Sequence, residues 1–487
     1  AGARPPRWPG RGGGAPVAAA RAMGLPAALA RMREAQPEFG AFLLDYEQLT
    51  EAVESKDADG TVRLLRAQLD RVNDFVEMQC EVLGAELRKQ LRKDVVGDRR
   101  SLDNLSEAIS NLHAYISLSY DCFMSIMQRC GEHQATASCV WFTARVEGAA
   151  FRACNLDALL AQLGQLYAAW REREGVAEHQ WTAAQSDAAS THTFFVPAAK
   201  AMPVKIALLK IIRPATRTVR VPTTSNTRST GFSHDFKQRI CHVYFDGAQG
   251  SQYAERYRRR LGGGADARPR AETLVRCRWV GESDGAPTGE VHLDVEDDRG
   301  ATTDVGLLQR DLAALLEGTL DAGAVAARPA LRASQNPEQQ RSALVAALGT
   351  IRGAGLQPSV SSTFFRSTFV DKDGVTELVT MDEVINFCHE GRESWRAAGR
   401  EGAAGPGRVG FPGAVLRVML AKGAADALLD MLGDLDVRSL PGFSDALHGT
   451  AVFHGELAVP LPPWFPSRAG APAAPPALVL PAPRAGG

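Results

Sequence analysis

The chain has 487 residues, 45% of them hydrophobic and 23% charged, with 55 Lys plus Arg against 56 Asp plus Glu. That length suggests two or three domains with ample apolar material for their cores. The near-zero net charge excludes a general nucleic-acid binder, so any anion site must be local.

No apolar run approaches the roughly 18 residues that a transmembrane helix needs. Cys80, Cys122, Cys130, Cys139, Cys154, Cys241, Cys277 and Cys388 show no CxxC spacing and mostly sit in apolar runs. They read as reduced core thiols, neither a disulfide frame nor a zinc site. Residues 1–22 are rich in Arg, Gly, Pro and Ala and lack acids, which predicts a disordered extension, with a transit peptide as the other reading.

From 23 to 174 the pattern is helical. Leu65, Leu69, Val72, Val76, Leu83, Leu87 and Leu91 recur at helical spacing, as do Leu105, Ile109, Leu112, Ile116, Tyr120, Phe123 and Met127. Two long helices with one apolar stripe each, broken around Gly97 to Ser101, must bury those stripes together as an antiparallel bundle. Shorter segments flank them, from Phe39 to Val53 and through Leu156, Leu159, Leu163, Leu166 and Trp170.

The order of Met23 to Leu29, Phe42 to Leu49, Phe75 to Leu91 and Tyr120 to Met127 resembles an SPX domain. That resemblance implies a helical hairpin plus two long helices that sense inositol pyrophosphates through a lysine-rich surface. Thr50 stands where the family pattern has a lysine, and Ser125 to Glu132 keeps only Arg129 of a lysine-rich run. Tyr46 and Arg129 are the inositol phosphate-binding candidates that remain, and Arg88, Lys89, Arg92 and Lys93 form a substitute basic cluster. Since a polyphosphate ligand needs several convergent cations, the other reading is a bundle that contacts a partner without sensing a ligand.

Residues 175–190 are mostly small and polar and read as a linker. Strand-like runs follow at Thr193 to Val196, His242 to Phe245, Leu274 to Val280, Glu290 to Val295, Phe364 to Val370, Glu377 to Met381 and Ala414 to Leu420. Helical runs at Val204 to Ile212, Leu307 to Leu316 and Arg341 to Ile351 interrupt them. The pattern predicts an α+β domain on a closed or strongly curved antiparallel sheet over 191–466. Residues 467–487, rich in Ala and Pro, read as a disordered tail.

The stretch from Leu274 to Gly281 carries the chemistry. In a strand, Val275, Cys277 and Trp279 share an apolar face, while Arg276 and Arg278 project together from the other. Two guanidinium groups so placed suit phosphate oxygens. The alternatives are a solvated surface strand, or arginines paired internally with acids such as Glu377 or Asp382. No His pair has metal spacing, and Gly262 to Gly264 is not followed by a Gly-Lys-Ser/Thr.

Seven ordered segments resemble the VTC domain: Val204 to Lys210, His242 to Asp246, Val275 to Gly281, Leu356 to Phe369, Phe411 to Leu416, Phe443 to Gly449 and Leu461 to Pro466. This is the polyphosphate polymerase module of the vacuolar transporter chaperone complex, a relative of the triphosphate tunnel metalloenzymes. The resemblance implies a cation-lined tunnel with a metal-recruiting carboxylate. Arg276, Arg278 and Arg366 match its arginines, and Arg256 with Arg259 sit where a further basic pair is usual.

Other lumen positions depart from the pattern. Thr193, Leu378 and Asp445 replace cations. A Glu-Arg-Lys run falls on His292, Leu293 and Asp294, and Arg417 stands at the metal carboxylate. A guanidinium there repels a hard cation, and phosphoryl transfer depends on positioning and charge neutralisation. A one-residue slip in the Val291 to Asp294 strand would let Glu290, Asp294 or Glu296 supply a carboxylate.

The expectation is therefore an α+β chain with an all-α SPX bundle and an antiparallel β tunnel. It reads as a non-catalytic accessory subunit that holds polyphosphate or a similar anion, with Mn or Mg only if the tunnel is active. An active ATP-dependent polyphosphate polymerase and a decayed interaction homologue are the alternatives. The resemblance implies other subunits of that complex as partners, and a place on the cytosolic face of a vacuole or acidocalcisome membrane through them, or otherwise in the cytoplasm. Relatives usually continue into a three-helix membrane domain.

Overall fold

A computed structural model of the chain describes residues 15–55, 58–92, 97–133, 136–154, 156–176, 190–220, 232–235, 237–261, 273–280, 291–296, 302–317, 319–328, 336–371, 377–390, 408–420 and 422–465. They fall into two compact units.

The first unit is mainly helical, and residues 205–236 join it; its helices are α1 Ala15–Ala35, α2 Tyr46–Glu54, α3 Ala58–Leu91, α4 Arg99–His133, α5 Thr136–Glu147, α6 Ala150–Ala153 and α7 Leu156–Glu174. The stripe on α3 buries Leu65, Leu69, Val72, Val76, Leu83 and Leu87, while Leu91 at its end is exposed. The α4 stripe buries Ile109, Leu112, Phe123 and Met127, with Tyr115 and Ile126 beside them. Phe75 of α3 is the hub, stacked on Phe42 at 4.4 Å and edge-on to Tyr115 at 4.8 Å. Such pairs add to the burial of their rings. Asp45 starts α2 by accepting the Gln48 backbone N–H at 3.0 Å.

Two expectations change here. α1 begins at Ala15, within the stretch expected to be an extension, because the alanines from Ala18 to Ala22 favour a helix. Cys80 and Cys154, expected to be reduced, form a disulfide between the middle of α3 and the end of α6. Packing, not spacing along the chain, brings them together, so no motif announces them. Cys122, Cys130, Cys241 and Cys277 are buried thiols.

The strands are β1 Ser190–Pro197, β2 Arg213–Pro214, β3 Arg217–Arg220, β4 Phe232–Asp235, β5 Lys237–Asp246, β6 Leu274–Val280, β7 Val291–Glu296, β8 Thr302–Leu307, β9 Gln357–Val370, β10 Glu377–His389, β11 Val409–Gly410, β12 Gly413–Leu420 and β13 Arg438–Ser439. The remaining helices are α8 Ala201–Leu209, α9 Ser251–Leu261, α10 Asp311–Leu316, α11 Ala322–Ala326, α12 Pro337–Gly353, α13 Lys422–Met431 and α14 Asp445–Phe453.

The second unit is built on an eleven-stranded antiparallel sheet whose main path runs β13-β1-β12-β10-β9-β5-β6-β7-β8. The expected closed tunnel is not formed, since β13 and β8 do not pair among the described residues. β13 is two residues long, and β8 ends in exposed Thr302 and Asp304, a polar edge that does not invite a further strand.

Register sorts the two faces. Val275, Cys277, Val291, Leu293, Val295, Val305 and Leu307 point to one side and pack on Leu315, Leu344, Leu348 and Ile351 of α10 and α12. The cross-strand partners Thr193↔Arg417, Thr380↔Arg417, Asp382↔Arg366, Tyr244↔Arg276, His242↔Arg278, Asp294↔Arg276 and Asp294↔Asp304 place a polar stripe on the other side. On that same side Phe195, Ile240, Val360, Phe364 and Val415 are apolar and pack against Phe443, Leu447 and Trp464 under α14. Half of this face is thus core and half lines a cavity.

Candidate functional site

The cavity has a volume of about 500 Å³. Arg256, Arg259 and Arg260 of α9, Arg276 of β6, Asp294 of β7, Arg366 of β9, Arg417 of β12 and Asp445 of α14 line it. Arg276, Arg366, Arg256 and Arg259 therefore line one cavity. Arg278 shares their face of the sheet but is drawn to the β8 edge by Asp304, at 2.7 Å. Thr193, His242, Tyr244, Met419 and Glu296 also line the space.

The arginines are not free. Arg366 forks onto Asp382 at 2.7 and 2.9 Å, and Arg417 binds the same carboxylate. Arg276 reaches Asp294 at 2.9 Å, and Arg278 shares that acid at 3.1 Å. The internal pairing that stood as an alternative for Arg276 and Arg278 is present, but with Asp294 and Asp304 in place of Glu377 or Asp382. The reason is register: Asp294 lies directly opposite Arg276. No slip is needed to bring it there, for Leu293 stays in the core and both His292 and Asp294 face the arginines. Glu290 lies outside the described residues.

Electrostatics follow from burial. Asp382 is fully buried; burial raises its carboxyl, but Arg366 and Arg417 outweigh that and hold it below the usual range. Asp445 sits at the start of α14 between Arg417, at 3.5 Å, and Tyr244, whose hydroxyl lies 3.5 Å away. Burial pushes the Asp445 carboxyl up. His242 contacts the Tyr244 hydroxyl at 2.9 Å, and burial, with four surrounding arginines, holds it well below its ordinary value. Burial keeps Tyr244 protonated, pushed up to about 12.

Arg256 differs from its neighbours. It donates to the Val275 carbonyl at 2.8 Å and stacks on Tyr244 at 5.4 Å, without a carboxylate partner among the described residues. Burial pulls it down to about 10, still cationic at neutral pH. Arg259 is held by Glu255 at 2.7 Å and Glu296 at 3.1 Å.

A divalent metal does not fit this donor set. Asp294 and Asp382 are each bonded to two guanidinium groups, and Arg417 stands beside Asp445, where a hard cation needs unshared carboxylate oxygen. Among the described residues no three or more His, Cys, Asp or Glu side chains converge as ligands.

In the helical unit, Tyr46 is buried with its hydroxyl 2.9 Å from Ser125, and Arg129 stacks over its ring at 5.9 Å. Lys89 pairs with Glu86 at 3.1 Å; Lys93 lies outside the described residues. No described helix is long and apolar enough to cross a membrane.

Sequence reasoning missed Asp304, in an unpredicted strand, and underrated Tyr244. Alternation along β5 from His242 signals the latter's face.

Residues 189–454 match the family model of the VTC domain, more than half of the chain. The helices from α1 to α7 lie outside that match. None of the curated proteins matches the chain.

Proposed function

Because the chain belongs to the VTC domain family, a polyphosphate polymerase relationship, we propose that it is a non-catalytic accessory subunit of a polyphosphate-synthesising complex that holds an anion in the arginine-lined cavity of its open sheet. One observation carries this reading. Asp294 and Asp382 neutralise four of the arginines that a phosphate chain would otherwise occupy. A ligand must compete with buried, bidentate pairs, and a reaction driven by positioned positive charge loses its source. The residual anion affinity rests on Arg276, Arg278, Arg366, Arg256 and Arg259.

The helical unit, SPX-like in its motifs, serves this role as a contact surface for other subunits. Tyr46 and Arg129 are already engaged with Ser125 and with each other, which leaves little for an inositol pyrophosphate. In this reading the protein reaches a vacuolar membrane through its partners.

The test is titration of the full chain with tripolyphosphate, with and without Mn²⁺, beside an Arg276→Ala, Arg278→Ala double variant. Expected is metal-independent binding that the double variant weakens, with no polyphosphate made from ATP. Synthesis from ATP that requires Mn²⁺ would return the polymerase reading and refute this one.

A further inference from the structure

Asp445, which lines the arginine cavity, begins α14, and at the other end of that helix two histidines far apart in the sequence come together. His389 closes β10, and His454 follows the last residue of α14. Their ring centres lie 4.9 Å apart with the planes inclined by 46°. That inclination is neither the offset stack nor the edge-to-face contact by which rings attract each other. Two imidazoles bound to one tetrahedral Zn²⁺ at about 2.0–2.1 Å hold their ring centres about 5 Å apart, so the spacing suits a shared ion.

The backbone holds both rings. The β9 ladder pairs His389 with Val360, and the carbonyl of the preceding Ser359 lies 3.5 Å from His454 Nε2. A carbonyl only accepts, so Nε2 carries the hydrogen and Nδ1 keeps the lone pair. A ring N–H given to a backbone carbonyl is the common outer support of a metal-binding histidine. On the Nδ1 side stands Glu456, with an oxygen 4.0 Å away on a side chain that is 74% exposed. No third ligand is in place among the described residues. The remaining positions fall to water and to Glu456, whose exposed side chain reaches the ion by a change of rotamer. We propose that His389 and His454 form a binding site for a divalent transition metal, with Zn²⁺ as its type, and that the ion ties the end of β10 to the end of α14. Imidazole nitrogen suits zinc, nickel and copper, whereas magnesium, calcium and manganese prefer oxygen. The site stands or falls independently of the anion-holding reading.

The test is calorimetric titration of the full chain with zinc chloride, beside His389→Ala, His454→Ala and Glu456→Gln. The parent is expected to take up zinc that both histidine variants bind about a hundredfold more weakly, since even an outer partner of a ligand is worth about 10–100-fold. Glu456→Gln, which removes the carboxylate charge, gives a smaller loss of about tenfold. A large excess of Mg²⁺ leaves the zinc isotherm unchanged. His389 is exposed and makes no hydrogen bond among the described residues, so His389→Ala melts with the parent in the absence of metal. Zinc then raises the melting temperature of the parent and not of that variant. No zinc uptake by the parent, or equal uptake by the parent and His389→Ala, overturns the site. Loss in only one of the two histidine variants overturns the sharing of one ion, and displacement of zinc by Mg²⁺ overturns imidazole ligation.

Discussion

Replacing Asp382 by Asn tests whether the lumen neutralises itself. Asp382 is fully buried, accepts a bidentate pair from Arg366 at 2.7 and 2.9 Å and also binds Arg417. The amide keeps the shape but removes the charge, and two guanidinium groups lose their counterion. Breaking a buried pair by removing one partner costs about 3–5 kcal/mol. The variant therefore unfolds at lower urea than the parent, by an amount of that order from linear extrapolation. The stranded cations also create an anion site. Tripolyphosphate at a hundredfold excess over its dissociation constant returns about 2.7 kcal/mol to any state that binds it. Urea unfolding followed by tryptophan fluorescence, with and without tripolyphosphate, reads both effects. The variant is expected to gain more from the ligand than the parent does. An unchanged midpoint, or equal stabilisation of both proteins, would refute the argument that Asp382 stands in for a bound anion.

Two further outcomes concern the framework. His448 sits among Phe387, Phe411 and Phe465, its Nδ1 has no partner among the described residues, and burial holds it down at about 3. A depressed histidine contributes stability that is present above its unfolded value of about 6.5 and lost as pH falls towards 3, at about 1.4 kcal/mol per pH unit. Relative to His448→Phe, the parent should lose about 2 kcal/mol between about pH 6.5 and 5; parallel pH profiles of the two would contradict this. In Gly413→Ala the new methyl would meet the Val196 carbonyl and the Phe195 ring, where β1 and β12 pair. Thermal unfolding should show a loss of about 1–3 kcal/mol, and an unchanged melting temperature would mean that the two strands stand further apart.

Much of the second unit was legible because strand periodicity is a local signal. The run from Leu274 to Val280 is a strand with those bounds, and its alternation assigns Arg276 and Arg278 to one face and Val275 and Cys277 to the core. Lengths were less legible. β9 starts at Gln357 and β10 runs on to His389, because serines and asparagine dilute the apolar alternation while tertiary pairing sustains the ladder. Charge pairing was least legible. Which acid answers Arg276 depends on the register between β6 and β7, so Asp294, eighteen residues away, won over Asp382. The disulfide between Cys80 and Cys154 is likewise a product of helix packing.

The shared carboxylate of Asp382 also constrains how this lumen changes by mutation. Arg366 and Arg417 lie on different strands, β9 and β12, yet answer to one acid on the strand between them. Replacing the acid alone leaves two half-buried cations, and replacing either arginine shifts the balance the other way. Steps that are costly singly become neutral only in combination. The three positions therefore form one heritable unit, and a shift in the polarity of this wall proceeds through coordinated substitution, not one residue at a time.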